Sequence, residues 1–522
     1  MAMRRLKRNM FVLILMILLW TTVLSQERKR SKPLIKPRSV DLPLRQLYNH
    51  KVHPGLLPIV SAEMETKLHA LIASLSSETP IKDLASITHF DDISKFASEF
   101  SAAYKSGKFN DTKAEEVYSI DSFKILGFYA KLHSTLHSLL YSRRDQNYNY
   151  LFLKYPEIAR KMDEAVQLLE FTLYPFLRKP VLETRFRERG IVLTAGNSQM
   201  QYTLLLITSL RNEIKTALPI EILYNGPDDL SSENAALLSR FGNVTTINIQ
   251  QIVNSSNVAG WSTKPFALFA STFRETIFID SDVLMVRDPE SLFNTPGYIE
   301  TGTLFYHDRS ISSPPRDPYG YLHKLLTFPS ETAKATKMWM FEDSGHEMES
   351  GVLLIDKSRR ALFPLLLAMR LNMQQEIGGL GEHFYGDKEL FWISHELLEI
   401  PYYFNPSYAG MVGYGEGNEW ICGPVAHSDE QKRLVWWNDG ILKNKYFSLD
   451  ETIDKFDIYS IDLSPNADME YKFGTQPFCS KPKPGETFNV DEESKRLIAR
   501  YIEIWRSIRS KDPAAFVDSV VN

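Results

Sequence analysis

The sequence lacks several features that identify large classes of protein. It has 522 residues but only two cysteines, Cys422 and Cys479, so it is no disulfide scaffold, and no CxxC or Cys/His zinc spacing occurs. Neither a GxGxxG fingerprint nor a P-loop is present, which argues against a dinucleotide oxidoreductase or a P-loop kinase. A net charge of −4 gives no reason to expect a nucleic-acid partner. The two cysteines could form one disulfide or remain two buried thiols.

A basic flank and an apolar run mark the N-terminus. Four basic residues between positions 4 and 8 precede an apolar run over residues 10–24, a pattern typical of membrane targeting. The run is shorter than the roughly 20 residues that span a bilayer core. Val23 and Ser25 would also permit signal-peptidase cleavage. We predict an uncleaved signal anchor with the rest of the chain in the secretory lumen, and sequons at Asn110, Asn243 and Asn254 agree with this.

Composition and periodicity divide the chain into five regions. We predict a tail and anchor at 1–25, a stem at 26–60, a helical accessory region at 61–185, a catalytic domain at 186–450 and a C-terminal appendage at 451–522. The accessory region shows apolar residues at 3–4 spacing. Its His133 and His137 lie four residues apart, but with no acidic partner close in sequence we expect a solvated or capping pair rather than a metal site. From residue 190 short apolar strands alternate with helices, which predicts βαβ units and a mainly parallel sheet flanked by helices.

The stretch 276–285, TIFIDSDVLM, organises the catalytic domain. Residues 276–279 have the continuous apolar character of a central strand that is buried on both faces. Asp280 and Asp282 follow at once, and alternation along an extended chain puts both carboxylates on one side. Unpaired charges are costly in an apolar core, so we expect both at the carboxyl edge of the sheet, where open α/β folds bind ligands. Two hard oxygen ligands there suit Mn²⁺ or Mg²⁺ on a diphosphate.

An ordered series of blocks over roughly residues 190–445 resembles the fungal Golgi α-1,3-mannosyltransferases. The blocks are WSTKPFA at 261–267, DSD at 280–282, TGTLF at 301–305, ESGVLLIDKS at 349–358, HFYGDKE at 383–389 and WWNDG at 436–440. The resemblance implies a retaining enzyme of GT-A-like α/β fold that uses GDP-mannose and Mn²⁺. It also implies a single-pass type II protein of the Golgi membrane whose acceptor is a mannose-terminated N- or O-linked glycan. An α-1,2-mannosyltransferase of the same fold and an inactive glycan-binding paralogue are the alternatives.

The resemblance also suggests a role for individual residues. The predicted metal ligands are Asp280, Asp282 and, from a related group that uses a late histidine, His427. The predicted donor-binding residues are Lys264, Asp280, Ser350, Gly351, Gly386 and Lys388. Glu349 and Asp387 are the candidate catalytic carboxylates, and either could be the nucleophile of a double displacement. Same-face attack with the leaving phosphate as base is the alternative.

Aromatic residues accompany these blocks on the expected acceptor side. They are Trp261, Phe384, Tyr385, Trp436 and Trp437. Aromatic faces stack on sugar rings, but aromatics also fill large cores. We therefore expect one or two of the five to contact glycan.

Overall fold

A computed structural model describes residues 120–141, 156–255, 258–309, 311, 316–358, 361–373, 380, 383–417, 419–463, 469–472 and 477–521. The predicted anchor, the stem, much of the helical region and Asn110 lie outside these residues. Within them, no helix combines the length and apolar character needed to cross a membrane.

Helices and strands are numbered here in chain order over the described residues. The strands are β1 (Arg187–Thr194), β2 (Ile220–Tyr224), β3 (Val244–Asn248), β4 (Phe273–Ile279), β5 (Leu284–Met285), β6 (Thr303–His307), β7 (Met348–Asp356), β8 (Phe404–Tyr408), β9 (Gly410–Glu416), β10 (Trp420–Cys422), β11 (Val425–Ser428), β12 (Leu434–Trp437), β13 (Ile458–Ser460), β14 (Glu470–Lys472), β15 (Cys479–Lys481) and β16 (Thr487–Asn489). The helices are α1 (Ile120–Tyr141), α2 (Pro156–Leu173), α3 (Met200–Thr208), α4 (Ser232–Leu238), α5 (Thr263–Ala270), α6 (Pro296–Thr301), α7 (Pro318–Leu325), α8 (Glu331–Lys334), α9 (Lys337–Met340), α10 (Leu362–Leu371), α11 (Glu389–Leu398), α12 (Glu492–Ser510) and α13 (Pro513–Val521).

The central sheet has seven strands in the order β3-β2-β1-β4-β7-β6-β8. The neighbours from β3 to β4 are parallel, β7 runs antiparallel to both β4 and β6, and β8 is parallel to β6. The predicted mainly parallel sheet is therefore confirmed, with β7 as the reversed strand. Helix α5 ends at Ala270, three residues before β4 begins at Phe273.

Both faces of this sheet are covered, which explains the continuous apolar runs in its strands. Ile277 and Ile279 pack in one hydrophobic cluster with residues of α3, α4 and α12. Phe278, which points to the other face, packs in a second cluster with residues of α1, α2, α5, α10 and α11. A strand buried on both faces gains from an apolar side chain at every position. The sheet is thus flanked by helices, as predicted.

A second sheet, entirely antiparallel and absent from the sequence-based predictions, packs beside the first. Its main path is β14-β15-β10-β9-β11-β12-β5, and β13 joins β9 and β16. Cys422 on β10 and Cys479 on β15 face each other in the ladder and form a disulfide, which settles the pairing left open above. The sheet also brings the chain after β12 beside β5, because Trp436 pairs with Met285 and Trp437 with Leu284.

The described part of the N-terminal region is helical. Helix α1 packs against α2, α11 and α10. The expectation of a solvated or capping histidine pair is wrong, because His133 is fully buried and its Nε2 lies 3.3 Å from Glu170 Oε2 on α2. Burial, with His133 beside it, lowers the pKa of His137 to about 3. Both rings pack on Phe363, so the pair belongs to the core.

Candidate active site at the carboxyl end of β4

The turn after β4 carries the two predicted aspartates. The Asp280 N–H donates to Gly351 O at 2.8 Å and the Val283 N–H donates to Asp280 O at 3.1 Å. The first bond extends the β4–β7 ladder by one residue, and the second closes the turn that contains Ser281. Asp280 and Asp282 therefore project from the carboxyl edge of the sheet, as expected, but they pair with different lysines.

The Lys264 ammonium lies close to residues from three other sequence blocks of the family resemblance. Its Nζ donates to Asp280 Oδ2 at 2.7 Å and to Ser350 Oγ at 2.9 Å, and it lies 4.0 Å from Asp387 Oδ2. Lys264 is 6% exposed in the first turn of α5. Burial opposes its charge, but the carboxylates of Asp280 and Asp387 outweigh burial and raise the pKa of Lys264. Lys264 thus contacts Asp280 and Ser350, two other residues predicted to bind the donor.

The start of β7 places Glu349, Ser350 and Gly351 beside Lys264. Glu349 Oε1 accepts the Gly351 N–H at 2.8 Å and Asn438 Nδ2 at 3.3 Å. Burial, followed by the nearby Asp308 carboxylate, raises the pKa of Glu349. A β-carbon at Gly351 would lie 3.1 Å from the Trp436 ring. The close approach at Gly351 is therefore to a protein side chain, and its donor-binding role stays a prediction.

Asp387 is the buried carboxylate with the fewest partners in the site. It is 4% exposed, and within the part of the chain that the structure describes its Oδ2 has no hydrogen-bond partner. Helix α11 begins at Glu389 with Lys388 as its N-cap residue, so Asp387 does not cap it. Burial raises the pKa of Asp387 although Lys264 opposes this. Gly386 has φ +72°, a left-handed value that glycine adopts without strain.

Lys388 is held away from this centre by another carboxylate. Its Nζ donates to Asp308, which directly follows β6. Burial disfavours the Asp308 charge, but Lys388 and Arg309 hold the pKa of Asp308 well below its usual range. The predicted donor role of Lys388 stays a prediction, because its charge is engaged by Asp308.

Asp282 pairs with a lysine that the sequence did not single out. Lys445 Nζ lies 2.5 Å from Asp282 Oδ2 and 2.6 Å from Asp439 Oδ1. The β5–β12 ladder brings Asp439 here, because it lies two residues beyond Trp437 and has φ +68°. Burial opposes the Lys445 charge, but Asp282 and Asp439 together raise the pKa of Lys445. The WWNDG block was the available signal, since it ends in this aspartate and glycine.

His427 lies on β11 inside an aromatic stack. Its ring packs 3.9 Å from that of Trp436 and meets Tyr306 edge-on at 5.5 Å, and burial lowers its pKa to about 3. Among the described residues, three ligand atoms within 4.8 Å of one another occur at Glu416, Cys422 and Cys479, where the disulfide occupies both sulfurs. Asp280, Asp282 and His427 form no such group, so the metal role of His427 stays a prediction.

The charge balance and chemistry of the cluster fit a divalent cation. Five carboxylates, from Asp280, Asp282, Glu349, Asp387 and Asp439, surround the two lysines 264 and 445. Burial raises the pKa of Asp280 to about 7 despite Lys264, and Asp282 and Asp387 add to the rise. Carboxylate oxygens are ligands that Mg²⁺ and Mn²⁺ prefer. Asp280 and Asp282 are the residues that would hold such an ion.

The five aromatic residues separate by exposure. Trp261 is 56% and Tyr385 43% exposed, whereas Phe384, Trp436 and Trp437 are buried.

The remaining predicted sites are sequons: Asn243 and Asn254 are exposed, and Asn110 lies outside the described residues.

The strand order and the aspartates at the end of β4 define a GT-A-like glycosyltransferase fold. Residues 188–432 match a family described as "Mannosyltransferase putative". The relatives include a "Putative alpha-1,3-mannosyltransferase MNN14" of Candida albicans, 29% identical over 337 residues that cover 53% of this chain and 48% of the relative. Another is the α-1,3-mannosyltransferase MNT2 of Saccharomyces cerevisiae, 25% identical over 49% of this chain and 52% of the relative. The predicted relation to fungal α-1,3-mannosyltransferases is thus confirmed.

The chain spans about half the length of the curated relatives it matches. The solved mannosyltransferase Ktr4p of S. cerevisiae in complex with GDP is 12% identical with a TM-score of 0.28, over 53% of this chain and 80% of that chain.

Proposed function

We propose that this chain transfers mannose from GDP-mannose to a mannose-terminated glycan with retention, forming an α-1,3 linkage with the help of Mn²⁺. The observation that carries the proposal is the contact of one buried ammonium, Lys264 Nζ, with Asp280, Ser350 and Asp387. Three separate blocks of the family resemblance therefore meet at one point on the carboxyl edge of a mainly parallel sheet, where such folds bind ligands.

The role proposed for the metal follows from the charge of the leaving group. A bound Mn²⁺ would supply positive charge to the diphosphate of the departing GDP. Asp280 and Asp282 would hold the ion, while Lys264 keeps Asp280 oriented through its 2.7 Å contact. Ser350 shares that ammonium, so its hydroxyl is positioned to meet the donor next to the same carboxylate.

Of the two candidate catalytic carboxylates, Asp387 is better placed to act on the sugar. Glu349 Oε1 already accepts two hydrogen bonds. Asp387 Oδ2, in contrast, has no hydrogen-bond partner among the described residues. We assign Asp387 to the donor sugar, either as a nucleophile or as a stabiliser of positive charge at C1. A trapped mannosyl adduct on Asp387 would support double displacement, and its absence under single turnover would support same-face attack.

We further propose a type II protein of the Golgi membrane with a lumenal catalytic domain. The Cys422–Cys479 disulfide suits an oxidising lumen, and the exposed Asn243 and Asn254 are accessible for glycosylation. If the proposal is correct, the full chain resists carbonate extraction from membranes and shifts in mass on endoglycosidase treatment. A cytosolic, unglycosylated chain would contradict it.

The decisive experiment measures GDP released from GDP-mannose with Mn²⁺ and an α-linked mannose oligomer. Asp282→Asn should abolish release, because an amide loses the charge that binds the metal. Asp288→Asn is the matched control, since Asp288 is exposed and only caps a short helix, which an asparagine also does. Absence of release from the unmodified chain would favour the glycan-binding alternative. Digestion of the product with linkage-specific mannosidases separates α-1,3 from α-1,2.

A further inference from the structure

Two large aromatic rings stay exposed beside the buried carboxylates. Trp261 and Tyr385 are 56% and 43% exposed. Their ring centroids lie 5.7 Å apart with the planes inclined at 43°. Exposed aromatics of this size leave a considerable apolar area in water, so a paired arrangement at the site calls for an occupant.

Both rings are attached to the backbone that builds the site. Trp261 lies in the short helical turn Gly260–Ser262 that leads into α5 and Lys264. Tyr385 directly precedes Gly386 and Asp387. A β-carbon at Gly386 would lie 3.4 Å from the Trp261 ring, so the indole rests on the chain that leads into Asp387.

A second observation shows that a polar ligand belongs next to these rings. Asp387 is 4% exposed, and its Oδ2 lacks a hydrogen-bond partner within the described residues. A buried carboxylate oxygen without a donor is costly, and a ligand hydroxyl would satisfy it. A pyranose combines hydroxyls at its edge with an apolar C–H face, which is the combination that a carboxylate beside aromatic rings can bind.

The Tyr385 ring is also held in place by charged neighbours. The Arg316 guanidinium lies 5.3 Å and Lys388 Nζ 5.9 Å from its centroid, and His346 meets it edge-on at 5.5 Å. Cations near an aromatic face attract it. The ring is therefore preorganised, which lowers the entropic cost of stacking a sugar on it.

We propose that Trp261 and Tyr385 form the acceptor subsite, with the terminal pyranose ring of the acceptor glycan stacked on them. The assignment rests on the proposed function, because the diphosphate end of the donor belongs at Asp280 and Asp282 and its sugar at Asp387. A second sugar that approaches Asp387 from solvent then passes over the two exposed rings. The buried Phe384, Trp436 and Trp437 take no part.

The test measures binding of α-linked mannotriose to the full chain by saturation-transfer NMR, together with KM values in the GDP-release assay. Trp261→Ala and Tyr385→Ala should each weaken mannotriose binding about tenfold, the scale of one lost stacking contact. The KM for mannotriose should rise by a similar factor, and the KM for GDP-mannose far less. Trp261→Phe should restore part of the binding. Phe328→Ala, which removes an aromatic side chain that is 79% exposed, is the matched control and should match the unmodified chain.

Three results separate the possible failures. Unchanged mannotriose binding in both alanine variants overturns the proposal. An equal rise in the two KM values also overturns it, because the rings would then serve the donor. If the unmodified chain consumes no GDP-mannose, the proposed function fails, yet loss of mannotriose binding in Trp261→Ala, with part of the binding kept in Trp261→Phe, would still support a sugar platform. Should the alanine variant lose its native circular dichroism, the graded response of Trp261→Phe decides.

Discussion

The Lys445 ammonium lies between two acidic side chains, in the position where a metal ion bound to them would lie. Its Nζ lies 2.5 Å from Asp282 Oδ2 and 2.6 Å from Asp439 Oδ1. A metal ion that binds Asp282 must displace this ammonium or bind against its repulsion. We therefore predict that Lys445→Met, which keeps most of the apolar stem and removes the charge, binds Mn²⁺ more tightly than the unmodified chain in the absence of nucleotide.

The size of the effect follows from the exposure of the three partners. The side chains of Lys445, Asp282 and Asp439 are 19%, 20% and 38% exposed. Ion pairs at fully exposed positions contribute about 0.2–1 kcal/mol, and hydrogen bonds to charged groups contribute about 1.5–3 kcal/mol. The Asp439 pair is discounted because solvent screens it. A net gain of about 1.4 kcal/mol lowers the Kd for Mn²⁺ about tenfold.

The assay titrates the full chain into Mn²⁺ and follows the electron paramagnetic resonance signal of the free ion, so it does not depend on turnover. Lys443→Met is the matched control, because Lys443 pairs with the exposed Glu451 at 3.6 Å. It removes the same charge two residues away and should leave the Kd close to that of the unmodified chain. Equal Kd values for both variants, or weaker binding by Lys445→Met, would refute the competition argument.

Three further changes test the buried charges and the crosslink. Lys264→Met should lower the free energy of unfolding by about 3 kcal/mol, because a buried ion pair loses one partner. In urea titrations this loss should be largest at high pH and shrink as the pH falls toward 7, because the pKa of Asp280, about 7 with Lys264 beside it, rises further without the ammonium, and a protonated Asp280 needs no ammonium. Asp387→Asn should leave the melting temperature unchanged or raise it, because the substitution removes a buried charge. The rate of GDP release should fall at least 100-fold. A large drop in melting temperature would contradict this prediction. Reduction of the Cys422–Cys479 disulfide, which spans 57 residues of sequence, should cost about 4 kcal/mol by loop entropy, and an unchanged urea midpoint in reductant would count against that contribution.

The parallel half of the sheet could be predicted from sequence because its signals are local. The apolar run at 191–194 lies within β1, the run at 219–224 corresponds to β2, and residues 276–279 are the end of β4. Each is an apolar run bounded by turn residues. The reversed direction of β7 has no such local signal. An apolar run has the same sequence pattern whether the strand is parallel or antiparallel to its neighbours. The strands of the second sheet are mostly three or four residues long and leave too short a pattern to recognise.

The residues of the site fall into two groups in the same way: some were predictable from the sequence around them, and others reach the site only through the fold. Asp280, Ser350 and Asp387 follow or begin recognisable elements, so their convergence at a sheet edge was predictable, and Lys264 stands in the first turn of the preceding helix. Lys445 lies 163 residues from Asp282. Only the pairing of β5 with β12 brings the two together, and that ladder joins two short strands with no sequence signal of their partnership.

The same pairing bears on the third metal ligand. A ligand must reach the ion from the side of Asp282, and the chain after β12 delivers the Asp439 carboxylate there, on the same ammonium as Asp282. His427 belongs to β11, and its ring is stacked flat on Trp436, so binding an ion beside Asp282 would require the ring to leave that stack. In the Mn²⁺ titration, Asp439→Asn should therefore weaken binding about tenfold on a Lys445→Met background, where no ammonium competes, and His427→Ala should not. The reverse outcome would restore the histidine as the ligand and show that the stack opens when the metal binds.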